Sequence, residues 1–157
     1  MAAVLALAGC RAKEISSTDR KEAANIVSEA EFAVQLKDWP RAEGLYAKAT
    51  ALCPDQGETW VALGVVRMRM HNSGGAKDAY KSGLSAYTDD IKRDPTNSGA
   101  VIRSASILVI LGRMDDARSL IERAYARNPG DRRLKEFVDL KALDKIAADP
   151  GLKEVSP

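Results

Sequence analysis

The chain has 157 residues, enough for one domain with a sizeable core. Hydrophobic residues make up 45% but aromatic ones only 5%, a balance that suits close-packed helices better than a β-sandwich. With 24 basic and 22 acidic residues the surface is of mixed sign, so nucleic acid is not expected as a partner. No apolar run reaches the length of about 18 residues that a membrane-spanning helix needs.

Residues Met1 to Gly9 are almost wholly small and apolar, and Cys10 follows. Leu7-Ala8-Gly9-Cys10 resembles the lipobox of bacterial lipoproteins, in which the peptide is cut before the Cys and the thiol is acylated. That resemblance implies a signal remnant over 1–9, a lipid on Cys10 and a polar tether over 10–20. It further implies attachment to the cell envelope. Arg11, rather than Asp, after Cys10 implies the periplasm-facing outer membrane in a diderm cell. The alternative is a cytoplasmic protein whose N-terminus carries an incidental Cys.

A first helix is predicted from Asp19 to Leu36, with Ser17, Thr18 and Asp19 as capping candidates and Ile26, Val27, Ala30, Ala33 and Val34 on its apolar face. Lys37-Asp38 makes a turn. Trp39-Pro40 opens a second helix, Ala42 to Leu52 continue it, and Pro54 stops it. Trp39 is expected to plug the contact with the next unit. Asp55 and Glu58 favour the start of a third helix, which runs to about Met70. His71-Asn72-Ser73-Gly74-Gly75 reads as a turn, with both glycines free to take positive φ. A fourth helix starts at Ala76, and its Tyr80, Leu84, Tyr87 and Ile91 share one face. A further pair is predicted from Asn97, turning at Leu111-Gly112-Arg113 and resuming from Met114 to Arg127. After Pro129-Gly130, Asp131 caps a last helix reaching about Ile146, and Asp149-Pro150-Gly151-Leu152 breaks the chain before its tail.

These segments recur in register. Trp60-x2-Leu63-Gly64 precedes Ala76-x3-Tyr80; Ala42, Tyr46, Ala49 and Pro54 stand at matching offsets in the unit before. Ala117, Ile121, Ala124 and Pro129 do so in the unit after. Pro95 and Pro129 are 34 residues apart, whereas Pro54 and Pro95 are 41 apart, so seven residues are inserted between Tyr80 and Pro95. This pattern is similar to the tetratricopeptide repeat (TPR), a helix–turn–helix unit of about 34 residues. Gly64 and Ala76 are small, which lets the two helices of a unit approach closely. The resemblance implies an all-α, TPR-type α-solenoid over 21–147, with repeats at about 21–54, 55–95 and 96–129. A capping helix at 131–147 and a tail at 148–157 complete it. Seven residues are nearly two helical turns, so the insertion is expected to lengthen the fourth helix by about 10 Å without rotating its stripe. Its projecting end, with Tyr87 and Ile91, is then a candidate contact surface; a loop broken at Thr88-Asp89-Asp90 is the alternative.

No catalytic constellation is present. The chain has one His and two Cys and lacks the zinc, thiol-redox, phosphate-loop and nucleophile-elbow motifs, so no enzyme, metal or cofactor is expected. Cys53 reads as a half-buried small residue or, less well, as an intermolecular bridge. In the repeat family, defined positions of each first helix line a concave groove. The resemblance carries these onto Val27, Glu31, Val34 and Gln35; then Glu58, Val61, Val65, Met68 and Arg69; then Ile102, Ser106, Val109 and Ile110. Carboxylate-clamp members place Lys and Asn where Val27, Glu31 and Gln35 stand, so a free C-terminal carboxylate is not the expected ligand. A mostly aliphatic groove suits a partner helix or apolar peptide, unless it is core or is covered by the chain's own ends. The expected function is a non-catalytic scaffold or adaptor, lipid-anchored in the envelope. A soluble adaptor or the accessory subunit of an enzyme complex is the alternative.

Overall fold

The computed structural model describes residues 14–139 and 141–152. Cys10, the leader before it and the tail from 153 onward lie outside the described residues. The chain forms eight α-helices among the described residues: α1 (Ser17–Gln35), α2 (Trp39–Leu52), α3 (Gly57–Arg69), α4 (Ser73–Arg93), α5 (Ser98–Ile110), α6 (Met114–Arg127), α7 (Arg132–Asp139) and α8 (Ala142–Ala147). A short 3-10 turn, Pro150–Leu152, follows.

Helix α1 begins before the expected tether ends. Ser16 and Asp19 form a reciprocal cap: the Ser16 hydroxyl accepts from the Asp19 N–H at 3.0 Å, and the Asp19 carboxylate accepts from the Ser16 N–H at 3.2 Å. The chain is therefore helical from Ser17, and Ser16, not a later residue, is the cap. Side-chain caps also open α2 (Asp38), α4 (Asn72) and α5 (Asn97).

The three hairpins turn in one way. In the first, the Asp38 N–H donates to the Ala33 carbonyl and the Lys37 N–H to that of Val34, both at 2.9 Å. Asn72 to Arg67 and His71 to Met68 repeat this, as do Arg113 to Leu108 and Gly112 to Val109. These are paired bonds that satisfy the last carbonyls of a helix, and they require a left-handed residue. Lys37 (φ 58°), His71 (φ 58°) and Gly112 (φ 76°) supply it. The expectation for Gly74 and Gly75 is thus corrected: both lie inside α4, because Asn72 accepts from the Gly75 N–H and starts that helix at Ser73. His71 makes the turn instead.

The insertion lengthens the helix and forms no loop. Helix α4 has 21 residues where α2 and α6 each have 14. Tyr80 and Tyr87 are buried on its inner face, with Leu84 and Ile91 packed against the same cluster. Arg67 ties three helices together: its guanidinium donates twice to Glu43 of α2, at 2.9 and 2.8 Å, and once to the Gly75 carbonyl of α4 at 3.1 Å. Trp39 packs half-buried against the cluster shared by α1, α2 and α3. Cys53 is fully buried rather than half-buried, which removes it as an intermolecular bridge.

The single capping helix expected from Asp131 to Ile146 is two helices. Lys141 takes φ 48° and redirects the chain between α7 and α8. A straight helix would carry Leu143 and Ile146 past the last hairpin; the bend returns them to the cluster that holds Val101, Val109 and Leu134. Both short helices pack on α5.

Candidate functional site

The groove residues inferred from the repeat do not all reach the surface. Val27, Val34, Val61, Met68, Ile102, Ser106 and Ile110 are half-buried, each at the edge of a first helix of its hairpin. Glu31, Gln35, Glu58, Val65 and Arg69 are exposed, and Val65 shows 46% of its surface in the middle of α3. Val109 is different. At 5% exposure it belongs to the cluster against which Leu143 and Ile146 of α8 pack, so the chain's own C-terminal helices cover this position. Ser106 turns its hydroxyl onto the Ile102 carbonyl at 2.9 Å. Val27 and Val34 of α1 and Val61, Val65 and Met68 of α3 each keep part of their surface exposed.

Tyr87 and Ile91 are not a projecting contact surface. Tyr87 is 6% exposed and Ile91 packs partly buried against the core. What the longer α4 does is overhang the start of α3. A cleft results, lined by Arg20, Ala24, Val27 and Glu31 of α1, by Asp55 to Thr59, and by Tyr87, Asp90 and Arg93 of α4.

Charge organises this cleft. Arg20 clasps Asp55 through two hydrogen bonds, at 2.7 and 3.4 Å, and the pairing raises the pKa of Arg20 above its ordinary value. Arg93 pairs with Asp90 on the same helix. Glu58 of α3 pairs with Arg103 of α5 at 3.0 Å, joining the first helices of adjacent hairpins. The same guanidinium lies 6.0 Å from the centroid of the Tyr87 ring, within cation–π range. Burial pushes the Tyr87 phenol above its ordinary pKa, and Arg103 pulls it part of the way back. The Tyr87 hydroxyl is enclosed, and Arg103 is the side chain that acts on it by charge and hydrogen bonding. Arg20, Arg93 and Arg103 went unnoticed in the sequence, and Asp55 and Asp90 were read only as helix-end and break residues, because each meets its cleft neighbours only through the fold or as an ordinary surface pair.

No cluster of three or more His, Cys, Asp or Glu side chains suited to a metal occurs among the described residues. Among the same residues no helix is long and apolar enough to cross a membrane.

No protein-family model matches the sequence, and no curated protein matches it. Solved structures do. The chain is similar to the first TPR of Spaghetti (RPAP3) bound to the HSP90 peptide SRMEEVD, with a TM-score of 0.50 at 12% identity, over 82% of this chain and 98% of that one. The fold is a TPR-type α-solenoid. At this identity the likeness concerns the fold alone. The Arabidopsis OM64 TPR domain aligns with a TM-score of 0.48 at 17% identity, over 81% of this chain and 98% of that one. The TPR2B domain of yeast Sti1 in complex with an Hsp70 peptide aligns with a TM-score of 0.49 at 17% identity, over 83% and 94%.

Proposed function

We propose that this TPR-type chain is a non-catalytic adaptor that holds an apolar partner segment, a helix or an extended peptide, along the partly exposed aliphatic residues of α1 and α3. One observation carries the reading. Val65 stands 46% exposed at mid-helix, flanked by the half-buried Val61 and Met68, where a helix that faces only water would carry polar side chains. The HSP90 peptide held by the first TPR of Spaghetti supports a peptide as the kind of ligand, although Val27, Glu31 and Gln35 do not provide a clamp for a terminal carboxylate. Photocrosslinking tests it, with a photoreactive residue at Val65 or Met68 and a control probe at the exposed Lys81 of α4. Capture of one discrete partner from the groove positions, lost on Val65→Asp and never seen from Lys81, is the expected result. Equal capture from all three positions, or none, removes the groove function.

The adaptor is further read as an envelope lipoprotein, on the strength of Leu7-Ala8-Gly9-Cys10. Metabolic labelling with a fatty acid, followed by mass spectrometry of the N-terminal peptide, decides it. Label on Cys10 that disappears in Cys10→Ser supports the anchor; an unmodified Cys10 in the native host ends it.

A further inference from the structure

We infer that the furrow between α4 and α6 docks an acidic amphipathic segment of a partner protein, a second segment distinct from the one held at Val65.

Helices α4 and α6 are the second helices of consecutive hairpins, and both pack on α5. Two clefts lie between them and share Leu84, Thr88, Lys92 and Arg113, so they form one furrow. Its α4 wall runs from Lys77 to Lys92, about 22 Å along the helix axis. Thr88, Ile91 and Lys92 stand in the last two turns of α4, the length by which it exceeds α2 and α6. The insertion therefore supplies the far end of that wall.

The floor is apolar. Leu108 and Leu111 of the α5 segment are buried there, and Leu84, Ile91 and Leu120 line the furrow half-buried. The walls are cationic. Lys77, Lys81 and Lys92 stand on the α4 side against Asp89, and Arg113, Arg123 and Arg127 on the α6 side against Asp116. Both acids are taken up locally, Asp89 by Lys92 at 2.8 Å and Asp116 by Arg113 at 2.7 Å. Lys81 pairs with Asp78, outside the furrow. No carboxylate pairs with Lys77, Arg123 or Arg127 among the described residues. Arg123 donates to the Ser119 hydroxyl and Arg127 to the Pro95 carbonyl at 3.4 Å, both neutral acceptors. The whole chain has a net charge of only +2, so the furrow concentrates positive charge that the rest of the surface cancels.

Positive walls alone would suit any polyanion, and the floor decides among them. Its leucines are recessed, whereas binding in a bilayer surface requires apolar side chains that project. No aromatic side chain lines the furrow, among the described residues, on which a base could stack. A peptide segment with apolar side chains flanked by Glu or Asp meets floor and walls together.

Fluorescein-labelled 15-residue helical peptides are the probes, each with a leucine stripe flanked by Glu, Gln or Lys. Anisotropy reads their binding to the full chain. The Glu peptide is expected to bind about tenfold tighter than the Gln peptide at low salt, the ratio shrinking as salt rises. Arg123→Gln with Arg127→Gln should remove most of that preference. Lys21→Gln with Arg41→Gln, the same charge change at exposed sites elsewhere, should keep it. Circular dichroism checks that both double variants hold their helix content. Val65→Asp should leave Glu-peptide binding intact, which separates this site from the groove. A ratio of one, or equal losses in the two double variants, overturns the inference. So does undiminished binding of a Glu peptide whose leucines are replaced by Ser, since the floor would then play no part. Loss of Glu-peptide binding in Val65→Asp assigns the acidic segment to the groove and overturns it. Tighter binding of a single-stranded oligonucleotide or of phosphatidylglycerol vesicles, lost with Arg123 and Arg127, gives the furrow to nucleic acid or a membrane and overturns it too.

Discussion

The Tyr87 ring lies so close to Gly57 that a β-carbon built on that glycine would stand 2.8 Å from the ring. Seven residues along each helix, Tyr80 stands over Gly64 in the same manner, at 2.7 Å. The insertion in α4 therefore repeats a contact the hairpin already had, an aromatic ring set into the gap left by a missing side chain. Gly57→Ala and Gly64→Ala should each destabilise the chain by about 1–3 kcal/mol, because ring and helix must separate to admit a methyl group. Urea unfolding followed by circular dichroism measures this. Unchanged midpoints would show that the rings move aside freely.

The left-handed turn residues give a prediction of opposite sign. Lys37 and His71 occupy a conformation that strains any residue with a β-carbon, whereas Gly112 occupies it without strain. Replacing His71 by Gly should stabilise by about 0.5–1 kcal/mol, and Gly112→Ala should destabilise by about 1 kcal/mol. Thermal melts of the two variants should move in opposite directions; a shared direction would contradict the turn geometry.

Ser104 stands in α5 where Leu63 stands in α3, and its hydroxyl is enclosed without a partner among the described residues. Removing an unsatisfied buried hydroxyl is favourable, so Ser104→Ala should raise stability by about 1 kcal/mol. A loss of stability on that change would mean that the hydroxyl is bonded, through water, in solution.

Tyr46, Tyr80 and Tyr87 all have their pKa raised above 10.0 by burial. A phenol whose folded pKa lies above its unfolded value contributes stability that is complete below the unfolded value, near pH 10, and lost as pH rises through the folded one. Alkaline titration followed by tyrosinate absorbance and helix content should show the buried phenols ionising together with unfolding. Ionisation of all phenols near pH 10 with helix content intact would sink this.

The fold was legible where the governing physics acts within a few residues. Proline spacing set the hairpins, and Tyr80, Leu84, Tyr87 and Ile91 announced a helix lengthened by whole turns, since that stripe keeps its face only if the helix continues. The failures share a cause. Gly74-Gly75 suggested a turn because glycine permits positive φ, but permission is weaker than the Asn72 cap, which pulled both residues into α4. Nothing in Lys141 marks the bend that folds α8 back, so cover by the chain's own ends stood only as an alternative, with Val109 not singled out. Likewise, the Arg20–Asp55 and Glu58–Arg103 pairs join residues far apart in sequence, and only packing brings them together.

Nearly every extensive contact in this molecule joins helices that follow one another in the chain; the return of α8 onto α5 is the main exception. Such a chain has little loop-closure entropy to overcome, so each hairpin gains its stabilising partners soon after it is synthesised. Folding can nucleate in any hairpin of such an array, and the closing of α8 needs a third hairpin that is already formed. Because that clasp is made by a six-residue helix, it is also the first to open when the structure is stressed. Its release would uncover the α5 surface around Val109 without disturbing the two hairpins before it.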